Sequence, residues 1–217
     1  MHGYLASKEC FFKQLRFFEK DFEVFAFDFK GFGDNANMEK PYSLDDYILD
    51  VKEYFYSNNI TSPSVIAHSF GGRVALKLAY QDGNFFDKIV LTGSAGLKPK
   101  FSAKKWCKKA TFSLLKKVIS KEKLQGFYSK DYLMLSPVMK QSFIKIVNEH
   151  LDYTLEKIQN PTLIINGEFD KETPLYMAKR LNKGIKNSKF VIIKGASHFA
   201  FIDKPNTFNF ETRNFLL

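Results

Sequence analysis

The sequence predicts an α/β fold, in which a mostly parallel β-sheet carries helices on both faces. Short apolar runs of strand length alternate with segments of helical periodicity along the 217-residue chain. Most of these runs are apolar throughout, which is typical of parallel strands buried on both faces. The length suits one domain with a small insertion and is sufficient for a sizeable core.

Five apolar runs are predicted as strands: residues 24–27, 64–68, 88–92, 162–166 and 190–193. Segments with helical periodicity lie between them, at residues 11–18, 44–55 and 74–79. Ser43 and Asp46 have the spacing of a capping box at the start of the second helix. Pro174 and Pro205 stand where two later helices are predicted to begin.

The segment from residue 96 to residue 160 contains helical patterns and no strand pattern. Because it interrupts the alternation, we expect it to form a helical cap insertion at the carboxyl edge of the sheet. The predicted organisation is therefore a core of residues 1–95 and 161–217, with residues 96–160 as the cap.

Positive charge is concentrated in one region of the chain. The formal net charge is +10, and the region from Lys98 to Lys123 contains ten lysines and one acidic residue. Interleaved apolar residues such as Trp106 and Leu115 favour amphipathic helices with a solvated lysine face. The alternative is weak association of this region with an anionic membrane surface or an anionic substrate. A local cluster of this kind does not by itself indicate nucleic-acid binding.

The composition excludes several classes of protein. No stretch of 18 or more apolar residues occurs, so no transmembrane helix is predicted, and the first residues lack a signal-peptide pattern. Cys10 and Cys107 are the only cysteines, which favours reduced thiols in a cytoplasmic protein. No cysteine or histidine spacing resembles a metal site, and we expect no metal or cofactor.

The most informative pattern is a strand, a sharp turn and a helix over residues 65–74, with Ser69 at the turn. A nucleophilic serine requires such a turn because its Oγ must project above the sheet. Ala67 and Gly71, two residues before and after it, are small enough for the strand and the helix to approach closely. The alternative is a glycine-containing turn whose serine has no chemical role.

Two further candidates, Asp170 and His198, each follow a predicted strand. Because the carboxyl ends of parallel strands meet at one edge of a sheet, we expect both side chains to lie near Ser69. A serine, an acid and a histidine in this chain order are suited to nucleophilic catalysis. Glu168 and Glu172 flank Asp170 and are the alternative acids.

With these residues and three further motifs, the chain resembles the α/β-hydrolase superfamily, in its serine esterase-like group (AB hydrolase-1 type). Residues 2–4, His-Gly-Tyr, resemble the HG-x loop that follows the third strand of that fold. Residues 28–33 resemble the D-x-x-G-x-G loop after the fourth strand, and residues 198–205 resemble the histidine loop before the final helix. Together the motifs span nearly the whole chain, and they are specific to the superfamily but not to a substrate.

The resemblance implies a catalytic triad in which Ser69 is the nucleophile, His198 is the base and Asp170 orients His198. It also implies that the backbone N–H groups of Tyr4 and Phe70 form the oxyanion hole. Water would then hydrolyse the acyl-enzyme formed on Ser69.

Three polar residues near these motifs are predicted to have no catalytic role. Asp28, in the second motif, and His68, directly before Ser69, are interpreted as structural residues. His150, in the cap segment, is interpreted as a surface residue.

In the superfamily two more strands precede the strand that ends at the HG motif, whereas here Met1 alone precedes His2. The expectation is therefore a fold without its N-terminal strands, less stable than a version extended upstream by about 20–40 residues. The alternative is a non-standard sheet in which residues 24–27 pair directly with residues 64–68.

The function predicted from these patterns is cleavage of a small carboxylic ester or thioester through an acyl-enzyme on Ser69. One alternative is carbon–carbon bond hydrolysis of a diketone-type substrate by the same triad. Another is a binding protein that keeps the fold but is catalytically impaired because the N-terminal strands are missing. In each case the expected partner is a small molecule, and neither the substrate nor the oligomeric state is indicated.

Overall fold

The sheet is parallel, as the sequence predicts. The computed structural model describes residues 1–101 and 130–217. The strands of this part of the chain are β1 (Val65–His68), β2 (Ile89–Thr92), β3 (Thr162–Gly167) and β4 (Ser188–Ile193). They lie side by side in the order β1-β2-β3-β4, and every neighbouring pair is parallel. All four correspond to predicted strands, with ends that differ by one or two residues.

The described helices are α1 (Phe12–Phe18), α2 (Leu44–Ser57), α3 (Phe70–Gln81), α4 (Lys130–Met134), α5 (Pro137–Asn148), α6 (Leu175–Gly184), α7 (Ala200–Asp203) and α8 (Pro205–Leu216). The predicted capping box of α2 is confirmed. Ser43 Oγ accepts a hydrogen bond from Asp46 N, and Asp46 Oδ2 accepts one from Ser43 N. No helix among the described residues is long and apolar enough to cross a bilayer.

Helices cover both faces of the sheet, and alternate residues of a strand point to opposite faces. Ile89 and Leu91 of β2 belong to a core shared with α2, α3 and α6. Val90, between them, belongs to a second core that includes Phe201 of α7 and Phe208 of α8. β2 and β3, in the middle of the sheet, are thus buried on both faces, which explains their nearly continuous apolar sequences, whereas β4 at the edge is partly exposed.

Residues 24–27, predicted as a strand, do not form one, and the alternative of direct pairing with residues 64–68 is also wrong. A cavity of about 300 Å³, with a mainly apolar lining, lies between this segment and the start of β1. A strand requires a neighbour for its backbone N–H and C=O groups, and apolar character alone does not provide one.

The segment around His2 lies beside the end of β1. The Met1 nitrogen donates to Ile66 O at 2.8 Å, and His68 N donates to Met1 O at 3.0 Å. Gly71 N, in the first turn of α3, donates to His2 O at 3.1 Å. These bonds hold residues 2–4 next to the turn that carries Ser69.

The described parts of the predicted cap, residues 96–101 and 130–160, contain helices and a 3-10 turn (Asp152–Lys157) but no strand. Arg73 of α3 donates to the carbonyl oxygens of Ile146 at 3.0 Å and Glu149 at 2.7 Å, which attaches the end of α5 to the core. Most of the lysine-rich region, and Cys107, lie outside the described residues.

Candidate active site

Ser69 occupies the turn between β1 and α3 in a strained conformation. Its φ of 49° and ψ of −105° are unusual for a residue other than glycine and cost about 1–3 kcal/mol. Ser69 N donates to Thr92 O at 3.1 Å, and Ser69 O accepts from Gly72 N and Ala95 N at 3.1 Å each. The hydrogen bonds on both sides of the turn hold the serine in this conformation.

Two glycines after Ser69 let other segments pack against the first turn of α3. A Cβ on Gly71 would lie 2.5 Å from Met1 O, and one on Gly72 would lie 2.2 Å from Ser94 Oγ. Any larger residue would therefore displace the N-terminal segment or Ser94 from the serine turn. The predicted requirement for a small residue at position 71 has this physical cause.

Asp170 and His198 meet at the carboxyl edge of the sheet, as the sequence predicts. His198 Nδ1 lies 2.9 Å from Asp170 Oδ2. Asp170 follows β3, and His198 lies in the loop between β4 and α7. The Asp170 side chain is fully buried, whereas that of His198 remains 13% exposed, so the histidine ring is accessible from the site.

Besides a long bond from Asn166 Nδ2 at 3.5 Å, three groups donate short hydrogen bonds to the Asp170 carboxylate. They are Thr173 N at 2.8 Å, Thr173 Oγ1 at 2.8 Å and Glu172 N at 2.9 Å. Burial opposes ionisation of Asp170, but the bonds from His198 and Thr173 outweigh burial, and the pKa of Asp170 is lowered. Sequence reasoning missed Thr173, although an Asp followed three residues later by Thr is a pattern suited to local hydrogen bonds.

The rings around His198 place it close to the serine turn. His68, the residue before Ser69, has its ring centroid 4.6 Å from that of His198. Gly93, with a φ of +50°, approaches from β2, and a Cβ there would lie 3.0 Å from His198 Nδ1. Ser69 Oγ makes no hydrogen bond with any described residue. Such bonds are often long without a ligand and shorten when substrate binds.

The two backbone N–H groups expected for an oxyanion hole have no partner among the described residues. Neither Tyr4 N nor Phe70 N donates a hydrogen bond there. The loop before Tyr4 is close to the serine, since a Cβ on Gly3 would lie 3.4 Å from Ser69 Cβ. Phe70 N is at the start of α3, where the helix dipole favours negative charge. Both donors are therefore available beside Ser69.

The Tyr4 side chain connects this loop to the predicted cap, which the sequence did not indicate. Its Oη donates to Met139 O of α5 at 3.1 Å. Its ring also packs edge-on against Phe70 and Phe143, with centroids 5.4 and 5.2 Å away. Burial raises the pKa of Tyr4 well above its usual value, so the hydroxyl remains a donor.

The other candidates from the sequence lie outside the Asp170–His198 contact. Glu168 Oε2 accepts from Gly195 N at 2.9 Å, and the carboxylate bonded to His198 is that of Asp170. Asp28 accepts from the backbone N–H groups of Lys8 and Asp34, which indicates the predicted structural role. His150 is half-buried in the described part of the cap. Within the described ranges, no group of three or more His, Cys, Asp or Glu residues could hold a metal ion.

Comparisons with known proteins give matches over most of the chain. The family model for serine aminopeptidase S33 matches residues 1–205. The AB hydrolase superfamily protein YisY of Bacillus subtilis (strain 168) is 26% identical over 96% of this chain and 87% of that protein. The 2-hydroxy-6-oxo-6-(2'-aminophenyl)hexa-2,4-dienoic acid hydrolase of Metapseudomonas resinovorans is 24% identical over 91% of this chain and 74% of that protein.

Among solved structures, the esterase EaEST from Exiguobacterium antarcticum superposes with a TM-score of 0.79 at 22% identity. The superposition covers 99% of this chain and 89% of that one. At this identity the similarity shows the fold alone.

Proposed function

Because the chain belongs to the serine aminopeptidase S33 family of α/β-hydrolases, we propose that it cleaves a small carboxylic ester or thioester through an acyl-enzyme on Ser69. The observation that carries the proposal is the 2.9 Å contact between His198 Nδ1 and Asp170 Oδ2, beside a serine held in a strained strand-to-helix turn. Under this proposal Ser69 is the nucleophile, His198 the base and Asp170 the orienting acid, and all three act from one edge of the sheet.

The Asp170 carboxylate determines which nitrogen of His198 acts as the base. An ionised carboxylate only accepts hydrogen bonds, so it holds the His198 proton on Nδ1. Nε2 is then left as the acceptor for the Ser69 proton. Asp170 also stabilises the imidazolium that forms when that proton arrives.

In the first half of the reaction, Ser69 Oγ attacks the carbonyl carbon of the substrate while His198 Nε2 takes the Oγ proton. Negative charge develops on the carbonyl oxygen. The N–H groups of Tyr4 and Phe70, which have no partner among the described residues, would stabilise it. Each such donor typically lowers the barrier by about 3 kcal/mol.

In the second half, His198 gives the proton to the departing alkoxide or thiolate, and the acyl group remains on Ser69. Water then attacks the acyl-enzyme, again with His198 as the base. The product acid leaves, and Ser69 regains its proton.

A second candidate is hydrolysis of a carbon–carbon bond in a diketone-type substrate. It is favoured by the similarity to the Metapseudomonas resinovorans protein, whose name describes hydrolysis of a 6-oxo-dienoic acid. The same serine, histidine and aspartate would serve both reactions. The difference lies in the leaving group, which must be protonated at carbon and not at oxygen or sulfur.

The test is a panel of short-chain p-nitrophenyl esters, an acyl thioester and a 2-hydroxy-6-oxo-dienoic acid, assayed for kcat/KM. We expect ester or thioester hydrolysis that Ser69→Ala reduces to background. Ser64→Ala is the matched control, because this exposed serine lies just before β1, at the opposite end from Ser69. It should retain wild-type activity.

Three other results of this assay would contradict the proposal in different ways. Cleavage of the dienoic acid at rates well above those for the esters would favour the second candidate. Full activity of Ser69→Ala would contradict the assignment of the nucleophile. A folded wild-type chain that hydrolyses none of the substrates would favour the catalytically impaired binding protein.

A further inference from the structure

His68, interpreted from the sequence as a structural residue, is buried against the proposed base. It ends β1 directly before Ser69, and only 1% of its surface is exposed. Its ring lies 4.6 Å from the His198 ring, and the rings of Phe199 and Phe201 lie 4.9 and 5.0 Å away. His68 therefore fills the space beneath the loop that carries His198.

The contacts of His68 define its tautomer. Burial lowers the pKa of His68 to about 3, so the ring is neutral at neutral pH. Its Nε2 lies 3.2 Å from the backbone carbonyl oxygen of His198, which can only accept. The one ring proton is therefore on Nε2, and the His68 N–H donates to His198 O.

The opposite nitrogen of His68 has a different environment. Nδ1 is buried and has no hydrogen-bond partner among the described residues. It faces Gly3, where an added Cβ would lie 2.8 Å from it. With Nδ1 unpaired, the hydrogen bond from Nε2 is the interaction that orients the ring.

We propose that His68 is a positioning residue for His198, which it holds by the backbone carbonyl while Asp170 holds the ring at Nδ1. The inference rests on the proposed function. Two anchors at different ends of one residue restrict both the backbone and the ring of His198. The Nε2 of His198 is then directed toward Ser69 before substrate arrives.

The loop needs such an anchor because few of its own contacts reach His198. Ser197 N and Ser197 Oγ bond to Asp203 Oδ2 at 2.7 and 2.6 Å, which holds the residue before His198 from the exposed side. The carbonyl of His198 faces inward to His68. Loss of the His68 bond would leave the inner side of the loop without a polar contact to β1.

Two substitutions separate positioning from packing. His68→Phe keeps a buried ring but removes the donor, and we expect kcat for a p-nitrophenyl ester to fall about 10–100-fold with little change in KM. His68→Gln keeps an N–H donor at a similar distance from the backbone and should restore most of the lost kcat. His150→Phe is the control, since His150 lies in the cap segment and has no part in the proposed mechanism.

Labelling of Ser69 by a fluorophosphonate supplies a second readout. Final stoichiometry measures the folded fraction, while the labelling rate measures how well His198 is placed. We expect His68→Phe to reach full stoichiometry slowly. Wild-type kcat in His68→Phe, or equal losses in the Phe and Gln variants with reduced stoichiometry, would overturn the inference. A wild-type chain that neither labels nor hydrolyses would contradict the proposed function instead.

Discussion

At the scale of single residues, the most constrained group in the site is the Asp170 carboxylate. It accepts hydrogen bonds from His198, from the backbone and hydroxyl of Thr173, and from Glu172 N. A buried carboxylate with this many donors stays ionised and fixed in position. The role proposed for it, as the acid that orients His198, depends on both properties.

Replacing Asp170 by Asn should leave the shape of the site intact and remove the negative charge of the carboxylate. The amide could donate to His198 and so favour the wrong tautomer, with Nε2 protonated. We expect kcat to fall by about three to four orders of magnitude. Glu168→Gln is the control and should change kcat little, because Glu168 bonds to Gly195 N and not to His198. The reverse result would assign the acid to Glu168.

Thr173→Val should destabilise the protein in a pH-dependent way. The folded-state pKa of Asp170 lies below its unfolded value, so this group stabilises the fold above the unfolded pKa and loses that contribution as pH falls through the folded pKa. Removing the Thr173 hydroxyl should cost about 1 kcal/mol at pH 7 and progressively less below about pH 4. Urea unfolding at several pH values measures this, and a loss independent of pH would contradict it.

At the scale of secondary structure, the sequence predicts correctly the strands whose neighbours in the sheet follow from their order along the chain. The strands β1 to β4 are short apolar runs between helices, and parallel pairing in chain order places them together. Residues 24–27 have the same apolar character, but a cavity lies where a strand partner would be. Pairing depends on the neighbour, which local composition does not report.

Within the site, the sequence predicts which residues lie at the ends of strands, but it does not predict the long-range hydrogen bonds that hold them in place. Asp170, His198 and Ser69 follow predicted strands, and parallel topology brings them to one edge. The bond from Tyr4 to Met139 joins residues 135 positions apart, and no local pattern indicates it. The sequence predicts a structural role for His68, and no local pattern indicates its contact with His198, which is 130 positions away.

The attachment of α5 to α3 can be tested at Arg73. This buried side chain donates to two backbone carbonyls at the end of α5, and Arg73→Met would leave both without that donor. We expect a loss of about 1–3 kcal/mol in the free energy of unfolding. Arg213→Met is the control, because Arg213 pairs with Asp21 at the surface. Equal stability of the Arg73 variant and wild type would show that these bonds contribute nothing.

At the scale of the whole molecule, the formal charge of +10 is the property that the proposed chemistry does not use. Ten of the lysines fall between residues 98 and 123. Four exposed lysines elsewhere, at residues 183, 186, 189 and 194, provide a comparison of equal charge for any four of these ten. If the lysines between residues 98 and 123 bind an anionic surface, replacing four of them should weaken binding more than replacing the four at residues 183, 186, 189 and 194.

Sedimentation with phosphatidylserine vesicles tests that expectation. If the lysines bind an anionic surface, the association should be weak, visible at low ionic strength and steeply reduced by added salt. Substituting Lys104, Lys105, Lys108 and Lys109 by Gln should abolish it. The same substitution at residues 183, 186, 189 and 194 should not. No association at low salt, or equal losses in both variants, would leave these lysines as a solvated face.

The central claim is that Ser69 is the nucleophile, made reactive by His198 and Asp170. Its most direct test is labelling of the full chain with a fluorophosphonate, followed by intact mass and peptide mapping. Ser69 Oγ would displace fluoride from phosphorus as His198 takes its proton. The account predicts one adduct per chain, on the peptide containing Ser69, absent in Ser69→Ala and strongly slowed in His198→Ala. An adduct at another residue, or none on the folded wild-type chain, would contradict it.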